Sequence, residues 1–340
     1  MIRDNLPACE DDVRRRKGEF EEKAFLIKRY GAISDIEQAE IDYPAIGHDE
    51  VLVRVKSAAI NPADIKVITG KNGGKFIHSG KSPICIGFDF CGVIKETGVE
   101  VSGFAQGDDV FGFLPYSTKT TQGSFADYVV VKSDTVARKP SSITYTETAT
   151  VATTASTALQ ALVNIGGIKP GQKILVNGAS GGVGSIAVQI GKSYDTEVWG
   201  TCSESNLDYI KSIGADHALN YRRTSLIDLT KKFDIILDAV ANSSYGECSG
   251  ILAPKGVYIT LLPTLRLVTG KMRSIFSARK CALCVVQPKT ADLAKIARMI
   301  DEKVIATSVA DTYPIDKLAK ALEKFLAGGV RGKIGVLIEE

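Results

Sequence analysis

The sequence predicts an α/β fold in two parts: a β-rich, barrel-like domain and a doubly wound parallel sheet set into the chain after it. Three observations carry that prediction. The chain has 340 residues, enough for about two domains at roughly 150 residues each. From residue 23 to about 145, short apolar runs follow one another between Gly, Pro and Asp turns, the spacing of an all-β unit. Beyond residue 147 buried strands alternate with helices, which implies right-handed βαβ units and a parallel sheet.

Residues 1–22 are polar and charged with no apolar period, and are expected to form a loose N-terminal arm. Strands are expected at 23–28 and at 51–56, where VLVRVK alternates with period two as on a half-buried antiparallel strand. The runs at 91–94, 109–113 and 126–131 continue the series. Residues 147–165 place apolar positions at helical spacing. The parallel sheet then draws on strands at 173–177, 197–202, 233–238 and 257–262, with helices at 186–192 and 207–214. Near residue 285 the pattern turns to helices at 292–300 and 317–327 and a last strand at 333–338, a segment expected to return to the first domain.

Composition removes several function classes. Lys plus Arg is 42 and Asp plus Glu 39, a net charge of +3, so the clustered basic face of a nucleic-acid-binding protein is not expected. No apolar run approaches the ~20 residues of a membrane span. Asp4, Glu10, Asp11 and Asp12 precede Arg14, Arg15, Arg16 and Lys17 without an apolar core, unlike a secretory or transit segment. Seven scattered cysteines, an odd count, read as reduced thiols and favour the cytoplasm.

The sharpest motif is ILVNGASGGVG at 174–184. A buried strand runs into glycines and a helix opens behind them. Ala179, Ser180, Gly181, Gly182, Val183 and Gly184 therefore become candidates to cradle a dinucleotide pyrophosphate on backbone N–H groups and the positive helix end. A lone glycine triplet is a weak signal, but the strand–loop–helix context makes this one specific. At the end of the next strand an NAD site usually carries Asp or Glu on the ribose 2′-hydroxyl. Here Cys202, Ser203, Glu204, Ser205 and Asn206 follow, with the key position neutral, and Tyr221, Arg222 and Arg223 come after the next strand. Ser203, Asn206, Tyr221 and Arg222 are thus candidates around a 2′-phosphate, and NADPH is favoured over NADH. Glu204 counts against this unless it turns to solvent, and for any single arginine a solvated surface charge is the commoner case.

With the glycine motif placed behind a β-rich domain, the chain from residue 23 onward resembles a medium-chain dehydrogenase/reductase of the zinc-independent, quinone-oxidoreductase-like or enoyl-reductase-like branch. The matching pieces occur in order: EVLVRV at 50–55, NPADIK at 61–66, IGFDFCGV at 86–93, GDDVFG at 107–112, GSFADYV at 123–129, STALQAL at 156–162 and RGKI at 331–334. The resemblance implies a GroES-like catalytic domain from residues 23–146 and 285–340, split around a Rossmann NADP-binding domain at 147–284. The active site is then expected in the cleft between them.

Zinc alcohol dehydrogenases of the superfamily carry Cys near Asn61 and Gly-His-Glu near Gly87, Phe88 and Asp89. Asn61 and Phe88 cannot supply a thiolate and an imidazole, so no metal site is expected. Cys281 and Cys284 have metal-like spacing but no second pair, and read as core. The resemblance implies that Asn61 positions the nicotinamide ribose and substrate, that Lys66 stands near the acceptor, and that Thr157 faces the nicotinamide, with Thr153 and Thr154 as neighbours that can do similar work. Arg331 and Lys333 resemble a basic pair reaching the cofactor phosphates. Asp64 and Asp89 read as structural.

Without a Lewis acid, the chemistry that remains is hydride transfer to an electrophile already activated by conjugation, an enone, an enal, an enoyl thioester or a quinone, whose developing oxyanion Lys66 would stabilise. Two other readings stay open: one-electron quinone reduction, and a non-catalytic NADPH-binding structural or regulatory protein. The expected partner is a small electrophilic substrate. A homodimer is expected through the strand at 257–262, taken as the sheet edge. The basic segment 262–280, with Arg266, Lys271, Arg273, Arg279 and Lys280, is expected as a loop that meets solvent, an acidic substrate or a membrane surface.

Overall fold

The computed structural model describes residues 21–339, so the arm expected at 1–22 lies almost wholly outside the described residues. Its last two residues already belong to the sheet, because strand β1 (Glu21–Ile27) pairs antiparallel with β2 (Glu37–Asp42) from Glu21 onward. The first domain continues with β3 (Glu50–Ala59), helix α1 (Pro62–Thr69), β4 (Ile84–Cys85), β5 (Asp89–Thr97), β6 (Asp109–Phe113), β7 (Tyr128–Lys132) and β8 (Val136–Arg138). Val51, Leu52 and Val53 are all buried. The strand expected to be half-buried is therefore covered on both faces where it sits between β5 and β7.

Helix α2 (Tyr145–Leu159) leads into the second domain. Every residue from Thr148 to Leu159 is buried. Ala, Ser and Thr dominate that stretch, and their small volume lets both domains press on one helix. Ala149 and Ala152 join a cluster with Phe111 and Phe113 of the first domain. Val151 and Ala155 join Ile174 and Val176 of the second.

The second domain holds β9 (Lys173–Asn177), α3 (Gly182–Ser193), β10 (Glu197–Cys202), α4 (Leu207–Ser212), β11 (His217–Asn220), β12 (Phe233–Asp238), β13 (Leu252–Thr260), α5 (Leu265–Ile275) and β14 (Lys280–Leu283). All its strand pairings are parallel, in the order β11-β10-β9-β12-β13-β14. Two expectations change here. The strand taken as the sheet edge, within β13, is covered by β14, which is the true edge. Most of the basic segment is a helix, α5, which packs Leu267 and Gly270 inward and leaves Leu265, Met272, Ile275 and Phe276 exposed. Leu265, Val268, Met272 and Ile275 form a helical stripe in the sequence, but that stripe faces outward while Leu267 and Gly270 face the domain.

After α6 (Thr290–Asp301), strand β15 (Val309–Pro314), α7 (Leu318–Ala327) and β16 (Lys333–Leu337) complete the chain. β16 pairs antiparallel with β3, which joins the C-terminal segment to the first domain in a seven-stranded sheet ordered β15-β16-β3-β5-β6-β8, with β7 also on β3. The fold is α/β: a GroES-like β-rich unit and a Rossmann doubly wound sheet.

Candidate active site

The order of the parallel sheet reverses between β9 and β12, and the crevice at that switch point is where open α/β sheets bind ligands. Its floor is polar and fully satisfied. Asn177, ending β9, donates to Asp238 Oδ1 at 2.9 Å and to Asn242 Oδ1 at 2.7 Å, and accepts from Thr201 Oγ1 at 2.6 Å. Asp238 also accepts from the N–H groups of Ala241 and Ser243 and from the Tyr258 hydroxyl. Burial and that carboxylate hold the Tyr258 phenol well above its usual range. Sequence reasoning missed this network, whose members lie on four strands and one loop.

The glycine loop rises from that floor. Gly178 takes φ +85°, a value that favours glycine, and its N–H donates to Thr201 Oγ1 at 3.0 Å. Helix α3 starts at Gly182 behind an extended Gly181. A Cβ on Gly184 would stand 2.1 Å from the Gly178 carbonyl oxygen, so strand and helix approach here only without a side chain. Ala179 is buried, while Ser180, Gly182 and Val183 are half-buried on the rim. The open first-turn N–H groups, the bare glycine surface and the helix dipole fit a pyrophosphate.

At the β10 end of the loop five polar side chains meet. Asn206 Nδ2 donates to Ser180 Oγ at 3.3 Å and to Ser203 Oγ at 3.2 Å. Ser203 and Ser205 are 3.1 Å apart through their hydroxyls. Arg331 Nε donates to Asn206 Oδ1 at 3.1 Å, and its guanidinium lies 4.9 Å from the centre of the Tyr209 ring. Glu204 is turned towards Asn220 and Arg223. Tyr221 is more than half exposed, with Arg222 over its own ring at 5.9 Å. The structure thus gathers Ser180, Ser203, Asn206 and Arg331, and leaves Arg222 outside their hydrogen bonds.

The other side of the cleft is a buried cluster. Asn61 caps α1, which begins with Pro62 at its first turn, a position where the missing N–H costs nothing. Its backbone N–H donates to Asp64 Oδ2 at 2.6 Å, and its Nδ2 to Asp89 Oδ2 at 2.9 Å. Thr153 donates to Asp89 Oδ1 through both its hydroxyl and its backbone N–H. Lys333 Nζ donates to Asn61 Oδ1 at 2.6 Å and to the Ile60 carbonyl, and lies 3.4 Å from Asp89 Oδ2. This corrects the expectation that Lys333 reaches the cofactor phosphates. Its stem does pass the glycine loop, since Cγ and Cδ lie 3.0 Å from where a Gly182 Cβ would stand, but its ammonium is bound to the Asn61 side.

Burial governs the cluster's charge. It pushes the Asp64 carboxyl up to about 8, against the lowering effect of the Asn61 N–H and Lys333. Its Oδ1 is buried without a partner. The same desolvation lowers the Lys333 ammonium, opposed by Asp89 and Asp64, and raises the nearby Tyr116 phenol, with the two carboxyl groups adding to it. Thr157 donates its hydroxyl to the Thr153 carbonyl at 2.7 Å, and Thr154 does the same to Thr150 at 2.8 Å. Both therefore face a ligand only as acceptors. Lys66 is half-buried on α1 with no ion pair among the described residues, and burial holds its ammonium below the ordinary range.

Comparison with known proteins agrees with this fold. Residues 47–141 match the model of the alcohol dehydrogenase GroES-like domain, and residues 213–336 that of a zinc-binding dehydrogenase. The chain is 30% identical over 323 residues to a quinone-oxidoreductase homolog, chloroplastic, of Spinacia oleracea, covering 92% of this chain and 97% of that protein. It is 28% identical to the mitochondrial NAD(P)H oxidoreductase RTN4IP1 of Homo sapiens (91% and 87% covered) and 29% identical to the 2-methylene-furan-3-one reductase of Solanum lycopersicum (92% and 78% covered). The quinone oxidoreductase from Coxiella burnetii has the same fold, with a TM-score of 0.85 at 24% identity over 94% of this chain and all of that one. The chain belongs to the medium-chain dehydrogenase/reductase superfamily, in its quinone oxidoreductase-like branch, and is an oxidoreductase that uses a nicotinamide cofactor.

Proposed function

We propose that the chain is a metal-independent, NADPH-dependent reductase of activated alkenes, enones or enals, or of quinones. The observation that carries this reading is that Lys333 lies against Gly182 of the glycine loop while its ammonium holds Asn61. The cofactor side and the acceptor side of the cleft thus meet at one residue. When bound, NADPH supplies a hydride. Residues 179–184 hold its pyrophosphate, and Ser203, Asn206 and Arg331 receive the 2′-phosphate, with Tyr221 and Arg222 at the periphery. Asn61 and Thr157 face the nicotinamide half as acceptors. Lys66 donates to the oxyanion that develops on the substrate, and its lowered pKa brings it nearer to proton delivery at neutral pH.

Metal independence is supported by the donor set. Asn61 and the fully buried Phe88 stand where the zinc enzymes have ligands, and no group of three His, Cys, Asp or Glu side chains that could hold a metal ion occurs among the described residues. No described helix is long and apolar enough to cross a membrane. The reduced cysteines favour the cytoplasm. A homodimer through the β14 edge is supported by the exposed apolar residues of α5, which packs beside that strand. The proposed activity is tested by following NADPH oxidation over a panel of enones, enals and quinones. Turnover of conjugated acceptors and none of simple ketones is expected. Tight NADPH binding without turnover of any acceptor would overturn the enzymatic reading.

A further inference from the structure

We infer that Lys333 is the positioning residue of the site: its buried ammonium locks the Asn61 amide in one orientation, with Oδ1 presented to a nicotinamide ribose hydroxyl. This role rests on the proposed placement of Asn61 beside the nicotinamide half of the cofactor. The hydrogen-bonding capacity of the amide gives the reason. Asn61 Nδ2 has two hydrogens, directed at Asp89 Oδ2 (2.9 Å) and, at longer range, the Ala59 carbonyl (3.4 Å). Oδ1 has two lone pairs, of which Lys333 takes one. One acceptor site is left over, and it is the only hydrogen-bonding capacity the side chain can offer a ligand. Turning the amide over would put N–H against ammonium and oxygen against carboxylate, so the two charged neighbours together forbid it.

The hydrogen-bonding capacity of Asp89 is met without the ammonium, which balances its charge from 3.4 Å. That carboxylate already accepts from Asn61 Nδ2 and from the Thr153 hydroxyl and N–H. Of the three Lys333 contacts, the one to Asp89, at 3.4 Å, is the longest, and the one to Asn61 is 2.6 Å. An ammonium at 6% exposure is costly to desolvate, whereas a plain aliphatic chain would pack equally well against Gly182. Besides balancing the charge of Asp89, the ammonium is placed to hold the Asn61 amide. The placement also makes sense of RGK as a unit. Arg331 reaches Asn206, Gly332 N–H donates to the Ser180 carbonyl at 3.1 Å, and Lys333 aims the amide across the cleft.

Calorimetric titration of NADPH, and of 2′,5′-ADP, which lacks the nicotinamide half, tests the inference. Lys333→Met should weaken NADPH on the order of tenfold, the effect of one lost charge-assisted hydrogen bond, and leave 2′,5′-ADP within about twofold. Lys333→Gln keeps an uncharged donor and should lose less; it also serves if the Met variant fails to fold. On an Asn61→Ala background Lys333→Met should cost nothing further. Equal losses for 2′,5′-ADP would place Lys333 at the phosphates and overturn the inference. If Asn61→Ala leaves NADPH binding unchanged, the placement of Asn61 falls and takes the inference with it. If Asn61→Ala weakens binding and Lys333→Met still adds its full factor, the inference alone falls.

Discussion

Arg331 donates to the side-chain oxygen of Asn206, joining residues 125 positions apart across the rim of the glycine loop. Ser180, Ser203 and Ser205 lie in the same hydrogen-bonded group, so a cation stands beside a set of hydroxyls with no carboxylate turned towards it. This set suits the 2′-phosphate of the proposed cofactor. Arg331→Ala is expected to weaken NADPH by about 1–2 kcal/mol, the scale of a charge-assisted hydrogen bond, and NADH by less. Arg222→Ala should have a smaller effect, because its guanidinium lies outside that group. Fluorescence titration of both coenzymes checks this, and equal losses for NADPH and NADH would remove the 2′-phosphate from Arg331.

Lys66 is half-buried, without an ion-pair partner among the described residues, and desolvated enough to be lowered in pKa. If it donates to the acceptor, Lys66→Met should reduce kcat and kcat/KM for enones together by ~10²-fold, as for one lost oxyanion donor. NADPH affinity should hardly change. Steady-state kinetics within about twofold of the wild type would end the oxyanion role.

Asp64 gives a stability prediction with a definite sign. Its folded-state pKa, about 8, lies above the unfolded value of 3.8. The folded state therefore binds the extra proton, and the associated stability is complete below about pH 4 and is lost as pH rises through 8. Asp64→Asn retains an acceptor for the Asn61 N–H and has no proton to lose. Thermal melts between pH 5 and 9 should show the wild type falling more steeply than the variant. Parallel curves would show that Asp64 is ionised throughout.

Metal independence predicts that dialysis against a strong chelator leaves reduction of enones intact. Stoichiometric zinc in the purified protein, with activity lost on its removal and restored by adding it back, is the contrary result.

The exposed edge at β14 predicts a dimer at micromolar concentration by sedimentation velocity. Charged substitutions at Ile275 and Phe276, both largely exposed on the described surface, should shift it towards monomer if α5 shares the interface. A wild-type monomer would count against the edge pairing.

Much of the second domain was legible in the chain itself. The strands Lys173–Asn177, Glu197–Cys202 and Phe233–Asp238 are found at their expected bounds, because a buried parallel strand must be a short apolar run and its neighbours are close in sequence. The glycine loop was legible for a similar reason, since its chemistry is backbone chemistry and needs only local glycines. The edge of the sheet was not. Lys280–Leu283 is four residues long with a polar start, and only the pairing order reveals that it covers β13.

The sequence by itself determined the fold class and the nucleotide loop, and its resemblance to a family supplied the candidacy of Asn61, Lys66 and Arg331, because each is carried by a contiguous motif. Only the tertiary structure decided where Lys333 acts. One residue removed from Arg331 it reads as a second phosphate ligand, and in a regular strand an i, i+2 pair would share a face, but Gly332 between them takes φ +78° just before β16 and breaks the extended backbone. Arg331 goes to the rim and Lys333 into the core beside Asn61 and Asp89, 272 and 244 residues away in the chain. The charge of that cluster was likewise a tertiary outcome. The Asp64 carboxyl is raised to about 8 because the fold buries it near Asp89, and desolvation is a property of the packed site that no local pattern of residues encodes.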